Sequence, residues 1–225
     1  MKKILCLLFI LLSFSFASHS KEKQQQELTP SQKRIHNQKE FSHYAKLSKE
    51  NDPEALFKLG KYYYEGRVVK KSYTKALAYL EQSSDLGYKK ATYNLGILYA
   101  NNKTPYHSYS KSFNIFIELA EEGNAAAQNR IGMFLTLGLG GPVDFKEAVK
   151  WYEKSSKQGY LTAQCNLASM YAGGMGVFTN FGRAHAFAKK GKSLNHPICV
   201  KVWRDYNLGK YEKDKGFKFK FYNQP

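Results

Sequence analysis

Apolar and small residues recur along this chain with a period of 36 residues. Ala55, Ala91, Ala127 and Ala163 mark it, and Cys199 falls at the next step. Leu59, Leu95, Ile131 and Leu167 keep the same spacing, as do Gly60, Gly96, Gly132 and Ala168, and then Tyr63, Tyr99, Leu135 and Tyr171. Separations of four, five and eight residues share one face of an α-helix, with the small residues admitting a neighbouring helix. A second helix in each unit carries Ala76, Ser112, Ala148 and Ala184, followed by the bulkier Tyr79, Ile115, Trp151 and Phe187.

The helix boundaries repeat as well. Ser72, Ser108, Asp144 and Asn180 precede the second helix, and each offers a side-chain oxygen to an unpaired backbone N–H of the first turn. Gly66, Asn102, Gly138 and Gly174 stand at the expected end of the first helix. Gly87, Gly123, Gly159 and Asn195 stand at the end of the second, where the left-handed conformation closes helices. Asn51 ends a preceding helix, and His196-Pro197 mirrors Asp52-Pro53 one period beyond the array.

The pattern predicts an all-α fold, a right-handed α-solenoid of four 36-residue helix-turn-helix repeats (52–87, 88–123, 124–159, 160–195). A capping helix over 31–51 precedes it. A trailing helix to about Asn207 and a basic aromatic tail complete 196–225.

These residues resemble the Sel1-like repeat family, relatives of the tetratricopeptide arrays. Ala55, Leu59-Gly60, Tyr63, Gly66, Lys75-Ala76, Tyr79 and Gly87 carry the likeness in the first unit, and Asp144-Phe145, Ala148 and Trp151-Tyr152 in the third. The resemblance implies a scaffold that recognises proteins or peptides, in envelope functions or at a host interface, including roles in virulence. The second unit departs at Asn102-Lys103-Thr104-Pro105-Tyr106. The C-x7-C pairs of the family's cysteine-rich branch are replaced here by Ser84 with Thr92 and Ala120 with Gln128, which argues against membership of that branch.

Some members of that branch are penicillin-binding or β-lactamase-like, and Ser72-Tyr73-Thr74-Lys75 and Ser108-Tyr109-Ser110-Lys111 match the S-x-x-K nucleophile motif. The same position is Asp144 and Asn180 in the next two units. A cap tolerates that exchange and a nucleophile does not. No S-D-N or K-T-G partner accompanies the motif. We therefore expect no catalytic residue, and the chain reads as a scaffold and not an enzyme.

The six histidines lack the H-E-x-x-H motif and do not pair with cysteine at zinc spacing, so no metal site and no cofactor is expected. Cys165 and Cys199 lie on successive first helices. Equivalent points on stacked repeats are about 10 Å apart, beyond the roughly 7 Å that a disulfide spans, so two buried free thiols are the leading expectation and a bridge the alternative.

The N-terminus predicts export. Lys2-Lys3, the apolar run Ile4–Leu12 and the small residues of Ser15-Phe16-Ala17 make a signal peptide over 1–17, followed by a flexible leader over 18–30. The run is too short to span a membrane, so a periplasmic or secreted location follows. Without Lys2 and Lys3, 33 basic residues face 18 acidic ones. That excess favours acidic proteins, anionic lipid, lipopolysaccharide or cell-wall polymer over nucleic acid in such a compartment.

Two regions are candidate contacts. In related arrays the first helices line a concave face, which points to Lys58, Asn94, Arg130 and Asn166 as a ladder of donors for a bound chain, with Lys61, Ile97, Met133 and Ser169 alongside. The second is the tail, where Lys215, Lys218 and Lys220 alternate with Phe217, Phe219 and Phe221, suited either to capping the solenoid or to an anionic surface.

Overall fold

The computed structural model describes residues 29–211, which form ten α-helices and no strand. The expected signal peptide, most of the leader and the tail with Lys215, Lys218 and Lys220 lie outside the described residues. A leading helix α1 (Pro30–Leu47) begins on a reciprocal cap between Thr29 and Gln32, one residue earlier than expected.

Four antiparallel pairs follow: α2 (Pro53–Glu65) with α3 (Tyr73–Asp85), α4 (Lys89–Ala100) with α5 (Tyr109–Glu121), α6 (Ala125–Leu137) with α7 (Phe145–Lys157), and α8 (Leu161–Gly173) with α9 (Phe181–Ser193). The trailing helix α10 (Pro197–Asp205) ends two residues short of the expected Asn207, which is left-handed at φ 48° and leads into a short 3-10 turn at Leu208–Lys210. Each helix packs on its chain neighbours, which is the all-α solenoid the 36-residue period predicts.

The period describes the core. Ala55, Ala91, Ala127, Ala163 and Cys199 are all fully buried, as are Ala76, Ser112, Ala148 and Ala184. Ser112 fits among alanines because its hydroxyl donates to the Gly96 carbonyl at 2.8 Å. Leu80, Phe116, Tyr152 and Ala188, one residue after the bulky positions read from the sequence, are buried in every unit. They meet the small position of the first helix. A Cβ on Gly60 would lie 2.8 Å from Leu80, one on Gly96 2.8 Å from Phe116, and one on Gly132 2.7 Å from Tyr152. In the fourth unit Ala168 and Ala188 share the corresponding volume, so a small residue on one helix answers the large residue on the other.

The second unit shows what replaces a glycine turn. α2, α6 and α8 end on left-handed Gly66, Gly138 and Gly174, whereas α4 ends one residue early on Asn101 in extended conformation, and Asn102 is not left-handed as expected. Thr104 is buried and donates to the carbonyls of Leu98 and Asn101, while Asn101 accepts from the Lys103 N–H and donates to the Tyr64 hydroxyl. Side-chain hydrogen bonds thus hold this loop where the others rely on positive φ.

At the C-terminal end of the described residues, Leu208, Tyr211 and Phe181, which the sequence reading did not single out, pack together with Trp203 on the last helix pair. Leu208 is fully buried beside α9 and its carbonyl lies 2.9 Å from His185 Nδ1. Tyr211 stacks on Phe181 at 4.5 Å, and Trp203 rests on His185 at 4.7 Å.

Candidate functional site

The two S-x-x-K sequences are helix starts. Ser72 Oγ accepts from the Lys75 N–H and Ser108 Oγ from the Lys111 N–H, both at 3.3 Å, just as Asp144 accepts from Glu147 and Asn180 from Arg183 at 2.9 Å. The lysine ammonium groups stand over the Tyr63 and Tyr99 rings at 5.1 and 5.2 Å. A lysine base would have to take the serine proton. Here each lysine is drawn to a tyrosine face and each serine oxygen to backbone.

The expectation for the cysteines is corrected. Cys165 and Cys199 form a disulfide with Cα atoms 4.8 Å apart. The 10 Å spacing of stacked repeats fails here because α10 packs directly on α8 as well as on α9, across the bare face of Gly191. A Cβ at Gly191 would lie 2.3 Å from Cys199 Sγ, so no other residue lets the bridge close. His196, which its sequence neighbours did not link to cysteine, stands with Nδ1 3.3 Å from Cys165 Sγ and Nε2 3.2 Å from Thr162 Oγ1. The two sulfurs and the imidazole form the metal-ligating cluster found among the described residues. With both sulfurs in a disulfide, the thiolates that a divalent cation requires do not exist, and the group acts as a staple.

At the places of the C-x7-C pairs, hydrogen bonds stand in for bridges. Ser84 and Thr92 share one at 2.7 Å, and Gln128 Nε2 donates to the Ala120 carbonyl at 3.0 Å.

The ladder Lys58, Asn94, Arg130 and Asn166 lies on four first helices and is half-buried throughout, as are Lys61, Ile97, Met133 and Ser169. Adjacent units bond to one another here: Asn101 Nδ2, just past the end of α4, donates to Tyr64 at 2.8 Å, Arg130 Nε to Tyr93 at 3.3 Å, and Asn166 Nδ2 to Asn129 at 2.9 Å, each across 37 residues. Two of these bonds tie ladder residues, Arg130 and Asn166, to the preceding unit. Asn94 turns back to the Lys90 carbonyl at 2.7 Å, and Ser169 to the Cys165 carbonyl at 3.3 Å.

Lys58 and Lys61 border a cleft of about 120 Å³ with Glu40, Tyr62, Glu65 and Arg67. Tyr62 is pushed up to about 12 by burial and by the hydrogen bond it donates to Glu40 at 3.0 Å. Glu40 comes from α1, which stands outside the period, so the repeat pattern could not show that it reaches this cleft. Ile97, Met133 and the half-buried Tyr93 join one apolar cluster in the middle of the face, and Leu137 beside them is 60% exposed. The other candidate contact, the basic aromatic tail, lies outside the described residues. No described helix is long and apolar enough to cross a membrane.

The Sel1 repeat family model matches residues 53–88, 125–160 and 161–196. This chain is a Sel1-repeat protein. The unmatched unit is the one whose turn lacks glycine. Among curated relatives, protein sel-1 homolog 2 of Rattus norvegicus is 27% identical over 180 residues, 80% of this chain and 24% of its own length. The chain therefore spans about a quarter of the length of that relative. A Sel1 repeat protein from Oxalobacter formigenes superposes with a TM-score of 0.66 at 27% identity, covering 75% of this chain and 67% of that one. The crystal structure of c5321, a protective antigen present in uropathogenic Escherichia coli strains displaying an SLR fold, has the same TM-score of 0.66 at 24% identity over 76% of this chain and 37% of its own, a likeness of fold.

Proposed function

We propose that this Sel1-repeat protein is a non-catalytic scaffold whose first-helix face binds a protein or peptide, and that it works outside the cytoplasm after losing residues 1–17. The observation that carries the reading is the cross-repeat bonding of α2, α4, α6 and α8, which sets half-buried donors and apolar side chains in one row. Solenoids present extended surfaces of this kind to their partners, with backbone and side-chain polar groups answered along the row. A β-lactamase-like activity is disfavoured by the capping role of Ser72 and Ser108. Nitrocefin turnover by the purified chain that disappears in Ser72→Ala would overturn the non-catalytic reading.

Affinity capture from source cells tests the face directly. Met133→Glu and Asn94→Glu should lose the captured protein, while Asn114→Glu on the exposed side of α5 should retain it. Equal loss or equal retention in all three removes the first-helix face from the account. N-terminal sequencing of protein from the envelope or medium checks export: a start at Ser18 is expected, and an intact Met1 in the cytoplasm contradicts it.

A further inference from the structure

Three of the four ladder donors already have partners of their own. Lys58 pairs with Glu54 at 3.9 Å and lies over Tyr44, Asn94 is bonded to the Lys90 carbonyl, and Asn166 to Asn129. Arg130 differs. Its Nε donates to the Tyr93 hydroxyl, a neutral group, and among the described residues its guanidinium forms no ion pair. A half-buried guanidinium has lost part of its hydration, and it recovers most by meeting a carboxylate through the two-toothed edge that Nε does not occupy. The side chain is held for that purpose, since Tyr93 is itself fixed against the Phe116 ring at 5.2 Å.

The side chains of one apolar cluster stand on the helices that carry this cation and its tyrosine partner. Met133 is one helical turn along α6, Ile97 and Tyr93 come from α4, and all three pack on the same cluster. Methionine's flexible thioether suits a varied side chain. The equivalent ladder positions on either side, Asn94 and Asn166, are uncharged. A nucleic acid or an anionic membrane calls for a track of cations, and a single fork in an apolar bed does not supply one.

We propose, resting on the binding-face reading above, that Arg130 anchors one carboxylate of an acidic, extended protein segment, with a neighbouring apolar side chain of that segment seated on Ile97 and Met133. The excess of 33 basic over 18 acidic residues that remains without Lys2 and Lys3 draws such a segment to the chain, and Arg130 sets its register.

The test uses the full chain, labelled for NMR, titrated with acetyl-Gly-Leu-Asp-Leu-Gly-amide and with the same peptide carrying Asn for Asp. The Arg130 Nε–H and the Met133 methyl signals should move together, and the Asp peptide should bind on the order of tenfold more tightly, the usual gain of a charge-assisted bidentate pair. That preference should vanish in Arg130→Gln and survive in part in Arg130→Lys, which keeps the charge without the fork. Equal affinity for the two peptides overturns the proposal. So does the absence of any shift at millimolar peptide, or a response of Arg130 to inorganic phosphate or oligouridylate stronger than to the Asp peptide. The binding-face reading is judged separately by the captured native partner. If Met133→Glu abolishes its binding and Arg130→Gln does not, the anchor is wrong and the face stands. If neither variant matters, the face itself is wrong.

Discussion

Gly132 and Tyr152 offer a reversal of sign that few core pairs allow. An alanine methyl at Gly132 would sit 2.7 Å from two ring carbons of Tyr152 and 3.0 Å from its Cγ, well inside ordinary contact. The ring cannot swing away easily, because Tyr152 is 3% exposed and its hydroxyl is 3.3 Å from Thr136 Oγ1. Overpacking of this kind costs about 1–3 kcal/mol, while alanine gains about 1 kcal/mol over glycine inside a helix. Gly132→Ala should therefore destabilise the protein by up to about 2 kcal/mol. Tyr152→Ala alone should cost about 3–5 kcal/mol through the cavity it leaves. In that background Gly132→Ala should instead stabilise by about 1 kcal/mol, since the clash is gone and the small-small arrangement of Ala168 with Ala188 is reproduced. The coupling of about 1–3 kcal/mol exceeds the few tenths expected of independent sites. Urea denaturation followed by circular dichroism reads it as opposite shifts of the midpoint at constant slope. Shifts of the same sign and size in both backgrounds would refute the packing argument.

Three further outcomes follow from the same geometry. Ser72→Ala should cost about 1 kcal/mol and Ser72→Asp almost nothing, because Asp144 already performs the capping role in the third unit; thermal melts decide between a cap and any role that needs a hydroxyl. Opening the Cys165–Cys199 bridge, by reductant or by Cys199→Ala, frees a link across 34 residues and should cost about 3–4 kcal/mol, with hydrogen exchange rising first in α10 and the Leu208 turn. Burial pushes the Tyr152 hydroxyl up to about 12 from its usual 10, so the unfolded chain ionises first; stability is complete below pH 10 and falls as the pH approaches 12. Tyr152→Phe should remove a part of that alkaline loss on the order of 2–3 kcal/mol, measured as unfolding midpoints from pH 9 to pH 12.

The helices were legible because their determinants are local and repeated four times: alanines at one spacing, caps at another, glycines at the ends. The large half of the core was harder. Leu80, Phe116, Tyr152 and Ala188 vary too much in size to read as one position until the partner helix is seen to vary inversely. The disulfide stood only as the alternative to free thiols for a different reason. Repeat spacing holds only where the partners are successive full repeats, and α10 is a half-repeat that settles against both α8 and α9 over Gly191. His196 reaches the bridge by that same closure. On the candidate face the sequence showed which residues share a row. It could not show that Lys58, Asn94 and Asn166 are engaged within the chain and that Arg130 is not paired with an acid, because those partners lie one turn or one whole repeat away.

The central claim is that a protein partner lies along the first helices. Photo-crosslinking residues placed one at a time at Asn94, Met133 and Ser169, and at Asn114 and Lys150 on the second helices, test it in the cells that make the protein. The account predicts adducts with one protein species from the first three positions and none from the last two. Adducts confined to Asn114 and Lys150 would contradict it.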